Sequence, residues 1–114
     1  MTISYSIRKI ADHYGHDAQV IQAVEELAEL TLELLNIRKH GVNLERRESL
    51  AEELADAEIM IDQIKHLYRL TPKVKEYRSA KIDRQLARIA KEKKMNEFRI
   101  TEPGVLPDAG RGKS

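Results

Sequence analysis

The sequence predicts an all-α protein, and three observations support that fold class. Glycine and proline are sparse, with five and three residues among 114, and they separate long stretches of helix-forming residues. Apolar residues recur at spacings of three and four positions, which is the period of one helix face, and few segments alternate like a β-strand. We therefore expect a helical bundle of two long antiparallel helices plus a third helix, completed by oligomerisation.

Glycines bound the first two predicted helices. Residues 4–14 are expected to form a short helix that ends at Gly15. The first long helix is expected to begin after Asp17 as its N-cap and to run to about Lys39, with Gly41 as a left-handed stop. Its apolar positions follow helical spacing; they are Val20, Val24, Leu27, Leu34 and Ile37.

The second long helix has two candidate starts. It follows either Asn43 or Ser49, the latter in the capping-box pattern Ser-Leu-Ala-Glu, and it ends near residue 70. Thr71 and Pro72 then supply an N-cap and a proline at the first helical position, which predicts a third helix up to about residue 98. The apolar positions are Leu50, Leu54, Ala57, Ile61, Ile64 and Tyr68 on the second long helix and Ile82, Leu86 and Ile89 on the third.

Composition excludes several classes of site and location. Without cysteine, the chain has no disulfide, zinc-thiolate site or thiol nucleophile. No apolar run approaches the roughly 20 residues of a membrane span, and the N-terminal residues lack the apolar core of a signal peptide. We expect a cytoplasmic protein that binds no membrane. Residues 1–100 are expected to form one domain, and the proline- and glycine-containing residues 101–114 a flexible tail.

The two signs of charge are segregated along the chain. Residues 17–62 hold twelve acids and four bases, a net charge of −8, whereas residues 63–114 hold fourteen bases and six acids, a net charge of +8. One interpretation is that oppositely charged helices neutralise each other by packing. The other is a metal-bound polyphosphate substrate, which needs acids for the cation and bases for the phosphates.

Two similar acidic segments carry the strongest chemical signal: Glu-Glu-Leu-Ala-Glu-Leu at 25–30 and Glu-Glu-Leu-Ala-Asp-Ala at 52–57. Residues three apart share a helix face, so Glu26 pairs with Glu29 and Glu53 with Asp56. One such segment is usually a solvated helix face. Two matched segments beside apolar stripes predict a cluster of carboxylates that protons or cations must neutralise. Oxygen ligands favour Mg²⁺, with Mn²⁺ as its substitute.

Basic residues on the third helix supply candidate phosphate contacts. Lys81, Arg84 and Arg88 are spaced three and four apart; Lys81 and Arg84 are interpreted as functional and Arg88 as ordinary surface basicity. The basic end lacks interleaved aromatic residues, so nucleic-acid binding is not expected. A di-iron carboxylate bundle needs Glu-x-x-His pairs, which the sequence lacks. The histidines are interpreted as helix-end or surface residues, and His16 is also a candidate for the substrate pocket.

The acidic pattern resembles that of the MazG-like all-α nucleotide pyrophosphohydrolase superfamily, in particular its small, phage-type members. The motif residues are Glu25, Glu26, Glu29, Glu53 and Asp56, and none departs from the pattern Glu-Glu-x-x-Glu followed by Glu-x-x-Asp. The resemblance covers roughly residues 14–89. It includes the segment Lys-Ile-Asp-Arg-Gln-Leu-Ala-Arg-Ile at 81–89.

This resemblance implies an activity and an assembly. The activity is Mg²⁺-dependent hydrolysis of a ribo- or deoxyribonucleoside triphosphate to the monophosphate and pyrophosphate, and the assembly is a homodimer or homotetramer with each site near a subunit interface. The implied metal ligands are Glu26, Glu29, Glu53 and Asp56. Glu25, Glu26 and Glu29 are implied catalytic acids, with Glu25 positioned to orient or activate water. Lys81 and Arg84 are implied phosphate contacts.

Two alternatives stay open at this point. A phosphoribosyl-ATP pyrophosphohydrolase is the related enzyme that differs in substrate. A non-catalytic helical interaction module, which keeps its acidic face for a partner, belongs to a different class of function.

Overall fold

The computed structural model describes the backbone of residues 2–101 and the side chains of residues 2–99. This part of the chain contains no strand, so the predicted all-α class is confirmed. Apart from Thr101, the predicted C-terminal tail at 101–114 lies outside the described residues. The helices are α1 (Tyr5–Tyr14), α2 (His16–His40), α3 (Leu44–Leu67) and α4 (Thr71–Thr101).

Helix α1 has a side-chain cap at its start and a glycine at its end. The Ser4 hydroxyl oxygen accepts a hydrogen bond from the Ile7 backbone N–H at 3.3 Å, which satisfies one of the free donors of the first turn. Gly15 ends the helix, and its N–H donates to the carbonyl of Ala11 at 2.8 Å. The end of this helix was predicted correctly, and its predicted start at residue 4 is one residue too early.

The same glycine also begins α2. The carbonyl of Gly15 accepts from the N–H of Gln19 at 3.1 Å, so the helix starts at His16. The predicted N-cap at Asp17 is therefore wrong: Asp17 lies in the first turn, where its carboxylate faces the positive end of the helix dipole. Gly41 ends α2 as predicted, and its N–H bonds the carbonyl of Ile37 at 2.8 Å. Its φ of 79° and ψ of −175° differ from the predicted left-handed helical conformation, which has a ψ of about +47°.

A short turn joins α2 to α3, and Arg46 holds both of its ends. The Asn43 side-chain oxygen accepts from the backbone N–H of Arg46 at 2.8 Å, so Asn43 is the N-cap of α3. The alternative start at Ser49 is wrong, because Ser49 lies inside the helix that Asn43 already began. The Arg46 guanidinium donates to the carbonyls of His40 at 3.1 Å and Gly41 at 3.0 Å, which would otherwise be unpaired at the end of α2.

Helix α3 ends at Leu67, three residues before the predicted position. The chain turns at Arg69, whose φ of 54° lies in the left-handed region. The N–H of Leu70 then reaches back to the carbonyl of Lys65 at 2.8 Å. This bonding pattern commonly terminates helices, and a non-glycine residue at its left-handed position gives the sequence no obvious stop signal.

Helix α4 starts at Thr71 and continues to Thr101. The carbonyl of Leu70 accepts from the N–H of Val74 at 2.8 Å, which closes the first turn one residue earlier than predicted. Thr71 is therefore the first helical residue rather than the N-cap, and Pro72 occupies the second helical position. The chain divides into two compact units between Lys75 and Glu76, within this helix.

Helices α2 and α3 pack against each other and run antiparallel. Gln19 of α2 bonds Gln63 of α3, whereas Glu26, further along α2, lies beside Glu53, earlier in α3. Helix α1 packs against both. The predicted bundle also includes α4 and is completed by further subunits. Both of these points stay predictions.

The buried core of the first unit is small. Its hydrophobic members are mostly alanine, and no large side chain among residues 2–99 is fully buried. None of the helices in this part of the chain is long and apolar enough to cross a membrane. The buried hydrophobic residues are Ile3, Ala11, Ala23, Ala57 and Met60, and the buried polar residues are Gln19 and Gln63.

Candidate metal centre

Three carboxylates meet where α2 faces α3. One carboxylate oxygen from each of Glu26, Glu53 and Asp56 lies within 4.8 Å of the other two. Glu26 and Glu53 are half-buried and Asp56 is exposed. Oxygens that share one Mg²⁺ or Ca²⁺ at about 2.1–2.5 Å lie about 3–5 Å apart, so the spacing of this cluster fits a single divalent cation.

Two facing alanines explain how the carboxylates come together. Ala23 of α2 and Ala57 of α3 are 7% and 1% exposed, and their small side chains allow the two helices to approach closely. Glu26 follows Ala23 by three positions, while Glu53 and Asp56 precede Ala57 by four and by one. Helical geometry places all three carboxylates on one side of the contact between α2 and α3.

The charge on Glu53 is disfavoured in this setting. Partial burial raises the pKa of the Glu53 carboxyl, and the neighbouring charges of Glu29, Asp56 and Glu26 raise it further. A hydrogen bond with Glu29 adds to the same shift, because it requires a proton on one of the two carboxyls. The metal-free cluster therefore holds a proton more readily than isolated glutamates do.

Two oxygens of the cluster have no hydrogen-bond partner among the described residues. They are Oε2 of Glu26 and Oε2 of Glu53, and both are buried. The other oxygen of Glu26 accepts from the side-chain amide of Gln22 at 2.8 Å. Ionised carboxylate oxygens only accept hydrogen bonds, so a buried one without a donor needs a proton or a cation. The all-oxygen donor set fits Mg²⁺, which keeps several waters beside one or two carboxylates.

The four predicted metal ligands do not occupy equivalent positions. Glu26, Glu53 and Asp56 form the cluster, whereas Glu29 is exposed one turn beyond Glu26 and acts on Glu53 through charge and a hydrogen bond. Glu25 is exposed next to Glu26, about 100° around the helix from it. The catalytic roles of Glu25, Glu26 and Glu29 stay predictions.

His16 lies at the start of α2, away from the cluster. Its Nε2 is 2.8 Å from the carbonyl oxygen of Leu67, and its ring meets the edge of Tyr68 with centroids 5.0 Å apart. Ten residues separate it from Glu26, which is about 15 Å along the helix axis. His16 therefore joins the beginning of α2 to the end of α3, and its role in a substrate pocket stays a prediction.

Lys81 and Arg84 belong to the second compact unit. Both side chains are exposed on α4. Their spacing of three positions puts them on the same side of that helix, as predicted. Their contacts with phosphate stay a prediction.

Three glutamines have structural roles that their residue types did not predict. Gln22 precedes Glu26 by four positions, a spacing that favours side-chain contact on a helix, so a pattern search for such pairs finds it. The buried amides of Gln19 and Gln63 bond at 2.6 Å, and the Gln63 amide also donates to the sulfur of Met60 at 3.6 Å. Pairing Gln19 with Gln63 requires the register of α2 against α3, which residue types alone do not specify.

No protein-family model, no curated protein and no solved structure matches this chain. The resemblance to the MazG-like superfamily therefore rests on the sequence of residues 14–89, and chiefly on the acidic motif and its spacing. Chemically, the site offers a cluster of three carboxylates, two of them half-buried, in which two buried acceptor oxygens have no hydrogen-bond partner within residues 2–99.

Proposed function

We propose that this chain is a Mg²⁺-dependent hydrolase that cleaves a nucleoside triphosphate to the monophosphate and pyrophosphate. One observation carries the proposal: Glu26, Glu53 and Asp56 converge from two helices, and two of their buried oxygens have no hydrogen-bond partner among the described residues. A cation there would neutralise carboxylates that otherwise repel one another.

In this proposal Glu26, Glu53 and Asp56 hold the cation, and Glu29 completes the acidic set from its outer edge. Bound Mg²⁺, or Mn²⁺ in its place, would polarise a phosphoryl oxygen and favour ionisation of nearby water. Gln22 has a positioning role, because its bond holds one oxygen of Glu26 and leaves the other, buried oxygen available to a cation.

The reaction adds one water across a phosphoanhydride bond. The water oxygen forms a bond to phosphorus, the bond to the pyrophosphate oxygen breaks, and the proton from water passes to a carboxylate. Glu25 and Glu29 are the exposed acids beside the cluster, and they are the candidates to orient water and accept that proton. No covalent intermediate with the protein is needed.

Binding of the substrate is assigned to the basic residues of α4. Lys81 and Arg84 carry donors suited to phosphate oxygens, and His16 is the further candidate for the substrate pocket. The segregation of charge along the chain supports this division, since the acids serve the cation and the bases serve the phosphates. We also propose that the working form is a homodimer or homotetramer, because the buried core of one copy is small.

Nucleotide turnover provides the direct test. Purified protein is mixed with Mg²⁺ and a panel of ribo- and deoxyribonucleoside triphosphates and phosphoribosyl-ATP, and pyrophosphate and phosphate are measured separately. We expect pyrophosphate release that stops with EDTA and in Glu53→Gln. Glu48→Gln, an exposed carboxylate on the opposite side of the same helix, is the matched control and should retain activity. No turnover of any nucleotide, or release of phosphate alone, would refute the proposal.

A non-catalytic interaction module is the second candidate. It is favoured by the large apolar side chains that α2 and α3 expose, including Val24 at 63% and Leu35 at 57%. The two functions are separated by turnover, because a binding module would bind a partner through its acidic or apolar surface and hydrolyse no nucleotide.

A further inference from the structure

A row of basic side chains follows α4 within the second compact unit. We call it the basic stripe and define it by four exposed residues, Lys81, Arg84, Arg88 and Lys91. Successive members are three or four positions apart, and helical geometry places all four within an arc of about 80° over about 15 Å of the helix axis. The row therefore continues past Lys81 and Arg84, the two members that were predicted to contact phosphate.

The acids of α4 lie mostly on other sides of the helix. Glu76, Asp83 and Glu97 lie at least about 60° outside the arc of the basic stripe. Glu92 borders the arc, at about 20° from its edge. Within residues 2–99 no side chain of the stripe forms an ion pair with a carboxylate. The charge of the stripe is therefore available to another molecule.

Neighbouring members of the basic stripe repel one another. Each has another member three or four positions away, which is the spacing at which side chains on a helix interact. Opposite charges at this spacing stabilise a helix, whereas like charges destabilise it. A ligand that carries a row of negative charges would remove this repulsion along the whole stripe.

A nucleic-acid duplex has such a row of charges. It carries one negative charge per about 1.7 Å of its axis, so a stripe of about 15 Å faces roughly nine phosphates. Each cation of the stripe can therefore reach a phosphate without a precise register. Cations that contact phosphates in this way release counterions from the duplex, and that release drives binding.

The surroundings of the stripe distinguish a duplex from other anionic partners. Single-stranded nucleic acid is held largely by bases that stack on aromatic rings, and residues 81–91 contain no aromatic residue. That lack is why nucleic acid was not expected, but contacts with a duplex backbone need only cations. An anionic membrane surface requires a broad apolar face. The apolar face of α4 is narrow, formed by Ile82, Leu86 and Ile89, and Lys93 follows on the same side.

We propose that the basic stripe of α4 binds the phosphate backbone of double-stranded nucleic acid without reading the base sequence. Backbone contacts position a protein on a duplex and carry no sequence information. Lys81 and Arg84 are also the proposed contacts for nucleotide phosphates, whereas Arg88 and Lys91 belong to the stripe alone. Duplex binding does not depend on the proposed hydrolysis, because it uses no residue of the acidic cluster.

Fluorescence anisotropy of a short labelled DNA duplex, with the full chain and EDTA, measures this binding. Four phosphate contacts predict that the affinity falls roughly 100-fold between about 50 and 200 mM salt. The double variant Arg88→Gln, Lys91→Gln should bind more weakly, and its affinity should fall only about tenfold over the same range. The matched control is Lys93→Gln, Lys94→Gln. It removes the same charge from other sides of α4 and should keep the salt dependence of the wild type.

Several results would overturn the proposal. One is a lack of binding to the duplex in about 50 mM salt. Another is an equal loss of affinity in the two double variants, which would trace binding to net charge rather than to the stripe. Equally tight binding to a single strand of the same length, or to vesicles of phosphatidylserine and phosphatidylcholine, would contradict a duplex as the ligand.

The same assay separates duplex binding from hydrolysis. Glu53→Gln should bind the duplex as tightly as the wild type, although it is expected to lose nucleotide turnover. A wild-type protein that binds the duplex and hydrolyses no nucleotide would refute the hydrolase and support the stripe. Loss of duplex binding in Glu53→Gln would contradict the assignment to α4.

Thiol labelling locates the contact without changing a charge. The chain has no cysteine, so Met95→Cys and Ala90→Cys each introduce one reactive group at an exposed position. Met95 lies on the side of the stripe, one turn beyond Lys91, and Ala90 lies about 140° from Met95. Duplex at about ten times its dissociation constant should slow the labelling of M95C roughly tenfold and leave A90C unchanged. Equal protection of both thiols, or protection of neither, would contradict contact through the stripe.

Discussion

Gln22 donates its side-chain amide to Oε1 of Glu26 at 2.8 Å, one helical turn away, while Oε2 of the same carboxylate is buried without a partner among the described residues. The two oxygens of the Glu26 carboxylate thus differ in their hydrogen bonding. One accepts a hydrogen bond from the protein, and the other is buried without a partner among the described residues. Orientation of a ligand by a neighbouring amide is common at metal centres.

Gln22→Ala tests this positioning role. Without its amide, the Glu26 carboxylate has more rotamer freedom, and we expect the affinity for Mg²⁺ or Mn²⁺ to fall roughly 10- to 100-fold. Calorimetric titration measures the change. Thr31→Ala is a control on the same helix, because its hydroxyl donates to the backbone carbonyl of Leu27. An affinity equal to that of the wild type would show that Gln22 does not position Glu26.

Neutralising Glu53 should stabilise the metal-free protein above the pKa of that residue. Its pKa is raised above the ordinary value of 4.5, so the folded state binds a proton more tightly than the unfolded state. That contribution to stability is present below pH 4.5 and is lost as the pH rises through the raised pKa. The Glu53→Gln protein does not lose stability in this way, because glutamine does not ionise.

Urea unfolding of both proteins with EDTA, from pH 4 to 8, measures the difference. The Glu53→Gln protein should gain stability relative to the wild type as the pH rises, and Glu48→Gln should not. Saturating Mg²⁺ should stabilise the wild type and leave Glu53→Gln nearly unchanged, because only the wild type offers the full set of ligands. Equal pH dependence in the wild type and Glu53→Gln would contradict the raised pKa.

The buried amide pair should show strong non-additivity. Gln19→Leu leaves the buried Gln63 amide without its 2.6 Å partner, and we expect a loss of about 1–3 kcal/mol in the free energy of unfolding. Gln63→Leu should be similar. In the double variant both polar groups are gone, so its stability should be close to that of the wild type. Losses that simply add would show that the pair contributes no coupling energy.

Replacing Gly15 should destabilise the fold through backbone strain. Its φ of 86° and ψ of 177° lie in a region populated almost only by glycine. A Cβ at this position meets nothing within 4 Å, so steric contact with neighbours adds nothing. Gly15→Ala should therefore cost on the order of 1–3 kcal/mol in urea unfolding. A cost as small as that of an ordinary surface substitution would show that the turn relaxes.

The two candidate starts of α3 are separable by mutation. Asn43→Ala removes the side-chain acceptor for the Arg46 N–H and should cost about 1 kcal/mol in the free energy of unfolding. Ser49→Ala, inside the helix, should change it by less than about 0.5 kcal/mol. The reverse order would assign the cap to Ser49.

Local signals predicted most of the helices, and the errors have physical causes. Gly15 and Gly41 end helices because few other residues adopt their backbone angles. Asp17 was a plausible N-cap by residue type, but a backbone carbonyl at Gly15 closed the first turn before it. The predicted end of α3 was too late because Arg69 adopts a left-handed conformation. Arginine rarely does so, and the sequence contains no glycine at this point to indicate the turn.

Spacing predicted four carboxylates at the contact between α2 and α3, and three of them form the cluster. Helical periodicity placed Glu26, Glu53 and Asp56 on facing surfaces, since three-residue spacing is independent of side-chain detail. The outer position of Glu29 depends on the register of α2 against α3. Register is a property of the whole packed pair.

Arg46 links the two helices that carry the carboxylates, because its N–H is capped at the start of α3 and its guanidinium holds the last carbonyls of α2. The number of residues between these helices is therefore one constraint on which part of α3 faces Glu26, beside the packing of the pair. One additional residue in the turn would shift α3 by about 1.5 Å and rotate it by about 100°, enough to carry Glu53 away from its neighbour. Homologous chains with this chemistry should therefore vary in the sequence of the turn far more than in its length.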